Sequence, residues 1–343
     1  MAQPFDPVRM ELGGEAVPIA EGVVSFEGRG YGLFSVSDTG ALVYRGGAGA
    51  KQALTWLDQG GKPAGASDAG EYANPAVSPD GTSVAVAIGP AGSRDIWTAD
   101  VGLKAMQRLT FDPANDDNPV WSPDGKHIAF ASNRTGGPKL YVKPADGSGE
   151  ERLLTDQPGV PTSWSRDGRF LLFTSASEKT GGDIWVLPDP GRASGASKPH
   201  ALLATDVDED DAKISPDGRW FAYMTLESGV ATVFVRPLLP DRDASAPGPK
   251  WLVSKGGIAV NPRWRADGRQ LVYIANRDVM AVDIETSRGF QAGTPRRLFA
   301  VPQNLRWDLA PDGKRFLFVT PPNGAGAAPF EVVLNWATAL KKE

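Results

Sequence analysis

Residues Asp117 to Asn133 read DNPVWSPDGKHIAFASN, and this stretch decides the fold. It predicts an apolar strand ending at Trp121, a Ser-Pro-Asp-Gly turn and an alternating apolar return strand. Proline presets φ, aspartate bonds the local backbone and glycine accepts positive φ, so the chemistry of a β-hairpin turn is written out. One hairpin is marginal in water. Its weight here comes from recurrence.

Aligned on the turn glycine, the motif appears as SDTG at Gly40, SPDG at Gly81 and Gly125, SRDG at Gly168, SPDG at Gly218, RADG at Gly268 and APDG at Gly313. The spacings are 41, 44, 43, 50, 50 and 45 residues, the period of four-stranded propeller blades. A strand follows each turn (HIAFAS, FLLFTS, WFAYMT), then a third (KLYVKP, DIWVLP, TVFVRP), and in most units a short fourth such as ERLLT or RRLFA. These segments are rich in β-branched and aromatic residues. The expectation is an all-β, single β-propeller domain over 1–343, with seven blades near 31–67, 73–110, 117–155, 160–204, 210–254, 260–300 and 305–336. The last unit lacks a fourth strand. Residues 1–22 parallel 280–300 and read as a third and fourth strand, so the N-terminal strand EAVPIAEG (15–22) is expected to close the ring beside the C-terminal blade. This suggests a chain cut from a longer array, or a first strand that frays.

With 41% hydrophobic and 22% charged residues, the composition is that of a globular chain. A net charge of -5 offers no basic face to nucleic acid. The absence of cysteine excludes disulfides, thiolate metal sites and cysteine nucleophiles. No apolar run is long enough to insert in a membrane, and the first 20 residues do not read as a signal peptide.

The repeats resemble those of the TolB-type, WD-like propeller superfamily. The phrases FDPANDDNPVWSPDGKHIAFASNR, DGRFLLFTSASEKTGGDIWVLP, FQAGTPRRLF and VVLNWATALKK resemble the C-terminal propeller region of acidobacterial membrane-anchored serine/threonine protein kinases. That resemblance implies an extracytoplasmic, periplasmic position in a larger signalling protein and a sensing or scaffolding role. No glycine-rich phosphate loop, HRD or DFG motif is present, so no kinase chemistry is carried over.

The recurrent turn aspartates Asp80, Asp124, Asp167, Asp217, Asp267 and Asp312 read as scaffold, because one active site does not need six copies. Trp121, Trp164 and Trp264 stand where other repeats have Val77, Ile214 or Leu309, which predicts packing between blades. Candidate binding residues fall at loop ends that a propeller gathers on one face: Asp116, Asp117 and Asn118, then Arg134, then Asp208, Asp210 and Asp211, with Arg263, Asn276 and Arg277. Acids and arginines together suit a protein or peptide partner of complementary charge; salt bridges between blades are the alternative. The DVDEDD run is rich in oxygen, but it lacks the spacing of a calcium loop. Calcium is therefore a minor possibility, and no cofactor is expected. The two histidines, His127 and His200, lie in no catalytic motif. The expected function is a non-catalytic binding, sensing or scaffold module; the alternative is a cation-dependent hydrolase or lactonase with its site in the central channel.

Overall fold

The computed structural model describes residues 1–20, 23, 25–26, 31–32, 34–37, 39–45, 51–191, 198–241, 244–245, 248–301, 306–321 and 330–341. The chain divides into two compact units, 51–322 and the paired segments 1–50 with 323–343.

In the larger unit the described strands form six antiparallel sheets. Blade I contains Tyr72–Val77, Ser83–Ile88, Asp95–Asp100 and Gln107–Arg108. Blade II contains Asp116–Trp121, His127–Ser132, Lys139–Pro144 and Arg152–Pro158. Blade III contains Val160–Trp164, Phe170–Ser177, Gly181–Pro188 and His200–Leu203. Blade IV contains Glu209–Ile214, Trp220–Thr225, Thr232–Pro237 and Trp251–Leu252. Blade V contains Ala259–Trp264, Gln270–Ala275, Asp278–Glu285 and Arg296–Ala300, with Gln291–Ala292 beside the third strand. Blade VI is composite: Trp307–Leu309 and Phe316–Thr320 pair onward with Ala53–Leu57 and Pro63–Ala66.

The core lies in the seams between these sheets. Separate buried clusters join I with II around Ile96 and Phe130, II with III around Leu140 and Phe173, and III with IV around Ile184 and Phe221. Others join IV with V around Val235 and Tyr273, V with VI around Phe299 and Phe318, and VI with I around Trp56 and Val84. The sixth seam returns to the first blade, so the six sheets close a ring around their first strands. Trp121 and Trp264 staple seams as their position predicts, each indole donating to the preceding blade, at Ala76 O (3.0 Å) and Lys213 O (2.9 Å).

This pairing differs from the expected strand assignment. The strands assigned to blades at 31–67 and 305–336 are exchanged: Ala53–Leu57 pairs with Phe316–Thr320, while Phe330–Leu334 pairs with Ala41–Arg45. Among the described residues the ring therefore has six sheets rather than seven. Residues 53–66 close it, not the N-terminal strand. Val17 instead bridges Ala2 within its own segment, and residues 21–22 of that strand lie outside the described residues. The physical reason is that 41–45 and 53–57 are both good strands, and nothing local tells one which second strand it joins.

The smaller unit holds a three-stranded sheet of Phe34–Val36, Ala41–Arg45 and Phe330–Leu334, the pairs Phe5–Asp6 with Glu11–Leu12 and Ser25–Phe26 with Tyr31–Gly32, and a 3-10 turn at Trp336–Lys341. Among the described residues no helix is long and apolar enough to cross a membrane.

The repeated turn works as its residues imply. In blade II, Ser122 Oγ donates to Asp124 Oδ1 (2.6 Å), Lys126 N donates to the same oxygen (3.0 Å), and His127 N donates to Ser122 Oγ (2.9 Å). Blades I, III and IV repeat the arrangement through Ser78, Ser165 and Ser215. The hydroxyl of Ser122 holds Asp124 below the usual carboxylate range, with the Lys126 amide assisting. Ser122→Ala removes two hydrogen bonds, so it is expected to cost ~1–2 kcal/mol. The check is urea unfolding of the variant against the parent chain.

Candidate functional site

Each first strand from blade I to blade V is bulged, its register with the second strand shifting near the middle. In four of them the extra residue sits in the left-handed region: Asn74 (φ 46), Asn118 (φ 54), Asp211 (φ 49) and Asn261 (φ 55). Asparagine and aspartate accept this conformation better than other side chains with a Cβ. A bulge re-aims its side chains. Here the re-aimed residues belong to the innermost strands and surround the axis of the ring.

A belt of polar links runs through them from blade to blade. Lys213 donates to the Thr162 carbonyl of blade III and pairs with Asp211 Oδ1 (3.0 Å). Arg263 of blade V pairs with Asp211 Oδ2 through NH1 (3.0 Å) and with Asp308 Oδ1 of blade VI through Nε (3.1 Å). Asp308 Oδ2 accepts from Val77 N of blade I (2.8 Å). In blade I, Asn74 and Arg94 both donate to Asp117 of blade II, at 2.8 Å each. Five of the six seams are crossed in this way. The side chains of Asp211, Lys213, Arg263 and Asp308 keep 17–19% exposure.

Burial disfavours the charged form of Asp211, but Arg263 and Lys213 outweigh it and hold this carboxyl below the usual range. Its neighbour Asp210 is raised, chiefly by burial and then by the Asp211 charge. Asp210 accepts from Thr174 Oγ1 of blade III (2.8 Å), so this acid belongs to the III–IV seam and not to the belt.

The other predicted residues go to separate places. Asp116 is fully buried and held by Arg134 NH2 at 3.0 and 3.1 Å. Arg134 also pairs with Glu151, donates to Ser132 Oγ (2.8 Å) and stacks over the Tyr141 ring at 4.5 Å. Arg134 is thus engaged within blade II. Asp208 accepts from Gly182 N (2.7 Å), and a Cβ on Gly182 would meet Asp208 Oδ1 at 2.9 Å. Asn276 Oδ1 accepts from Ile258 N (3.1 Å), tying down a loop, and Arg277 is exposed beside it. Among the described residues no group of three or more metal-ligating side chains is assembled. Asn118 differs from these: its side chain has no hydrogen-bond partner among the described residues, although it lies in the bulge of a first strand beside Asp117.

The residues that sequence reasoning missed are Asn74, Arg94, Lys213 and Asp308. Each reaches a partner on an adjacent blade, and spacing along the chain carries no sign of that. The one available signal was the Asn-Pro or Asp-Ala step at the same repeat position in four blades.

Glu209, at the start of the blade IV first strand, is 2% exposed. Burial raises its pKa to about 7, against bonds from Thr205 and the Arg236 charge, with Asp183 adding to the rise. A carboxyl raised on folding stabilises the fold fully below its unfolded pKa of 4.5, and that contribution is lost as pH climbs through about 7. Glu209→Gln is therefore expected to raise the melting temperature at pH 8 and to change it little at pH 5. Thermal unfolding of both proteins across that range is the check.

Residues 49–187 match the family model of the TolB beta propeller domain. Among solved structures, putative TolB from Agrobacterium tumefaciens is 17% identical with a TM-score of 0.59, covering 79% of this chain and 98% of that one. TolB from Acinetobacter baumannii is 17% identical with a TM-score of 0.50, covering 74% of this chain and 65% of that one. Hydrazine synthase of Kuenenia stuttgartiensis is 15% identical with a TM-score of 0.55, covering 88% and 94%. At these identities the likeness shows the fold alone, a β-propeller. Since the same fold serves proteins of different kinds, function has to be argued from the site.

Proposed function

We propose that this protein is a non-catalytic binding module whose partner, a protein or peptide, seats over the axis on the face carrying the loops between blades. The observation that supports this reading is Asn118, an unpartnered amide on a bulged innermost strand, flanked by a belt of partly exposed opposite charges. An amide with free donor and acceptor suits a peptide backbone, and flanking charges of both signs select side chains along it. The belt residues are spent on one another, so they position and discriminate rather than exchange protons.

A photo-crosslinking amino acid placed at Asn118 and, separately, at Lys126 on the turn face tests this. In envelope extract, a discrete protein adduct is expected from position 118 and none from position 126. No adduct from 118, or the same adduct from both, would count against the axial site.

The competing reading is the cation-dependent hydrolase or lactonase. Protein purified without chelator is expected to carry no stoichiometric divalent metal and to melt at the same temperature with and without calcium. A bound cation with a calcium-dependent rise would favour the enzyme instead. The likeness of several long phrases to kinase-associated propellers supports a place outside the cytoplasm, as the sensing part of a membrane-anchored signalling protein. Protease added to intact cells producing the full-length protein is expected to digest this region first.

A further inference from the structure

The turn face carries a feature that the scaffold does not require. Where a blade's second and third strands meet at that face, the register pairs define equivalent positions. In blade III they are Phe170 opposite Pro188, with Val186 two residues back. In blade IV they are Trp220 opposite Pro237, with Val235. These residues fill the corner, and both Phe170 and Trp220 pack on the adjoining core clusters. In blade I the same positions hold Ser83 opposite Asp100, with Thr98. The plug is missing, and a cleft of about 370 Å³ opens between blades I and II.

Its two walls differ in character. Ser83, Thr98, Asp100 and Gln107 line one side; they belong to three adjacent strands and point to the same face, since Ser83 pairs with Asp100 and Gln107 with Thr98. Trp121 and Asp146 stand on the other. The side chains of Asp100 and Gln107 have no hydrogen-bond or ion-pair partner among the described residues. Asp146 receives the Ser148 amide (2.9 Å) and hydroxyl (2.6 Å) on Oδ1, which leaves Oδ2 open. No lysine or arginine lines the cleft among the described residues.

We propose that this cleft binds an ammonium or guanidinium group carried on a short alkyl stem, with Asp100 and Asp146 holding the cation, Gln107 and the hydroxyls completing its hydrogen bonds, and the Trp121 side packing the stem. Two carboxylates in a cleft that no lysine or arginine lines among the described residues disfavour anions. Ser83, Thr98 and Asp100 in place of Phe, Val and Pro leave the width of a side chain rather than of a ring system. The source is either a basic side chain of a partner protein or a free polyamine.

Calorimetric titration of the full chain at low ionic strength with agmatine, with putrescine and with an acetylated Gly-Arg-Gly amide tests the assignment. A Kd near ~1 mM is expected for at least one, as for other ligands of so few atoms. Asp100→Asn, at an exposed position, is expected to weaken it about tenfold through loss of a charge-assisted bond. Ser83→Trp, which restores the blade IV plug, is expected to abolish binding while leaving the melting temperature at or above that of the parent. Binding of the tripeptide and agmatine above putrescine assigns the site to a basic side chain; the reverse order assigns it to a polyamine. No heat with any of the three up to ~10 mM, or binding that survives both variants, overturns the proposal.

Discussion

Arg263→Met is expected to lower the unfolding free energy by about 3–5 kcal/mol, because it leaves the largely buried Asp308 without its cation and Asp211 with Lys213 alone. Arg263 joins three blades, through Asp211 and Asp308 from its own place in blade V. It also lies over the Trp307 ring, 5.7 Å from the centroid. Removing it strands Asp308, which must still accept from Val77 N. For a unit of this size the loss corresponds to a fall in melting temperature of about 6–20 °C. Arg297, whose pair with Asp278 is mostly exposed, serves as the control and is expected to shift stability by less than ~1 kcal/mol on the same change. Equal losses at the two positions would show that the belt does not couple the blades.

Thr55→Cys with Thr320→Cys is expected to form a disulfide under oxidising conditions and to stabilise the ring by as much as about 5 kcal/mol, the limit that loop-closure entropy allows for so long a loop. The two hydroxyls are 2.7 Å apart in the composite blade, although 265 residues separate them along the chain. The parent contains no cysteine, so an electrophoretic shift and its reversal by reductant report this pair alone. The seven-blade arrangement puts these positions in different blades and predicts no cross-link. Absence of the disulfide would return the closure to the N-terminal strand.

The seven turns were legible because their chemistry is local: in blades I to IV a serine, an aspartate and a glycine within four residues complete their own hydrogen bonds. The first-strand tryptophans were legible as seam residues for a related reason, since one position held by Trp, Val, Ile or Leu in different repeats has packing in common and no chemistry. Candidate site residues were only half legible. Asp117, Asp211 and Arg263 stand out as charges at strand starts, but whether a charge is free or spent depends on the next blade. Arg134 illustrates this: the sequence shows an arginine at a loop end, and the structure shows it held by Asp116, Glu151 and Tyr141. Asn118, an ordinary turn-forming residue in the sequence, gains its interest only from the bulge in the first strand that carries it.

By itself the sequence determined the all-β class, the blade as repeating unit, each hairpin and its turn, and the exclusion of thiol chemistry. These follow from alternation, turn residues and composition, which act over a few residues. Tertiary structure alone decided that residues 53–66 complete the sixth sheet described in the larger unit, which charges cancel across a seam and where a missing plug leaves a cleft. Strand pairing between distant segments depends on which edges remain unpaired once every other blade has formed. That competition among whole strands leaves no mark on the residues of any one of them.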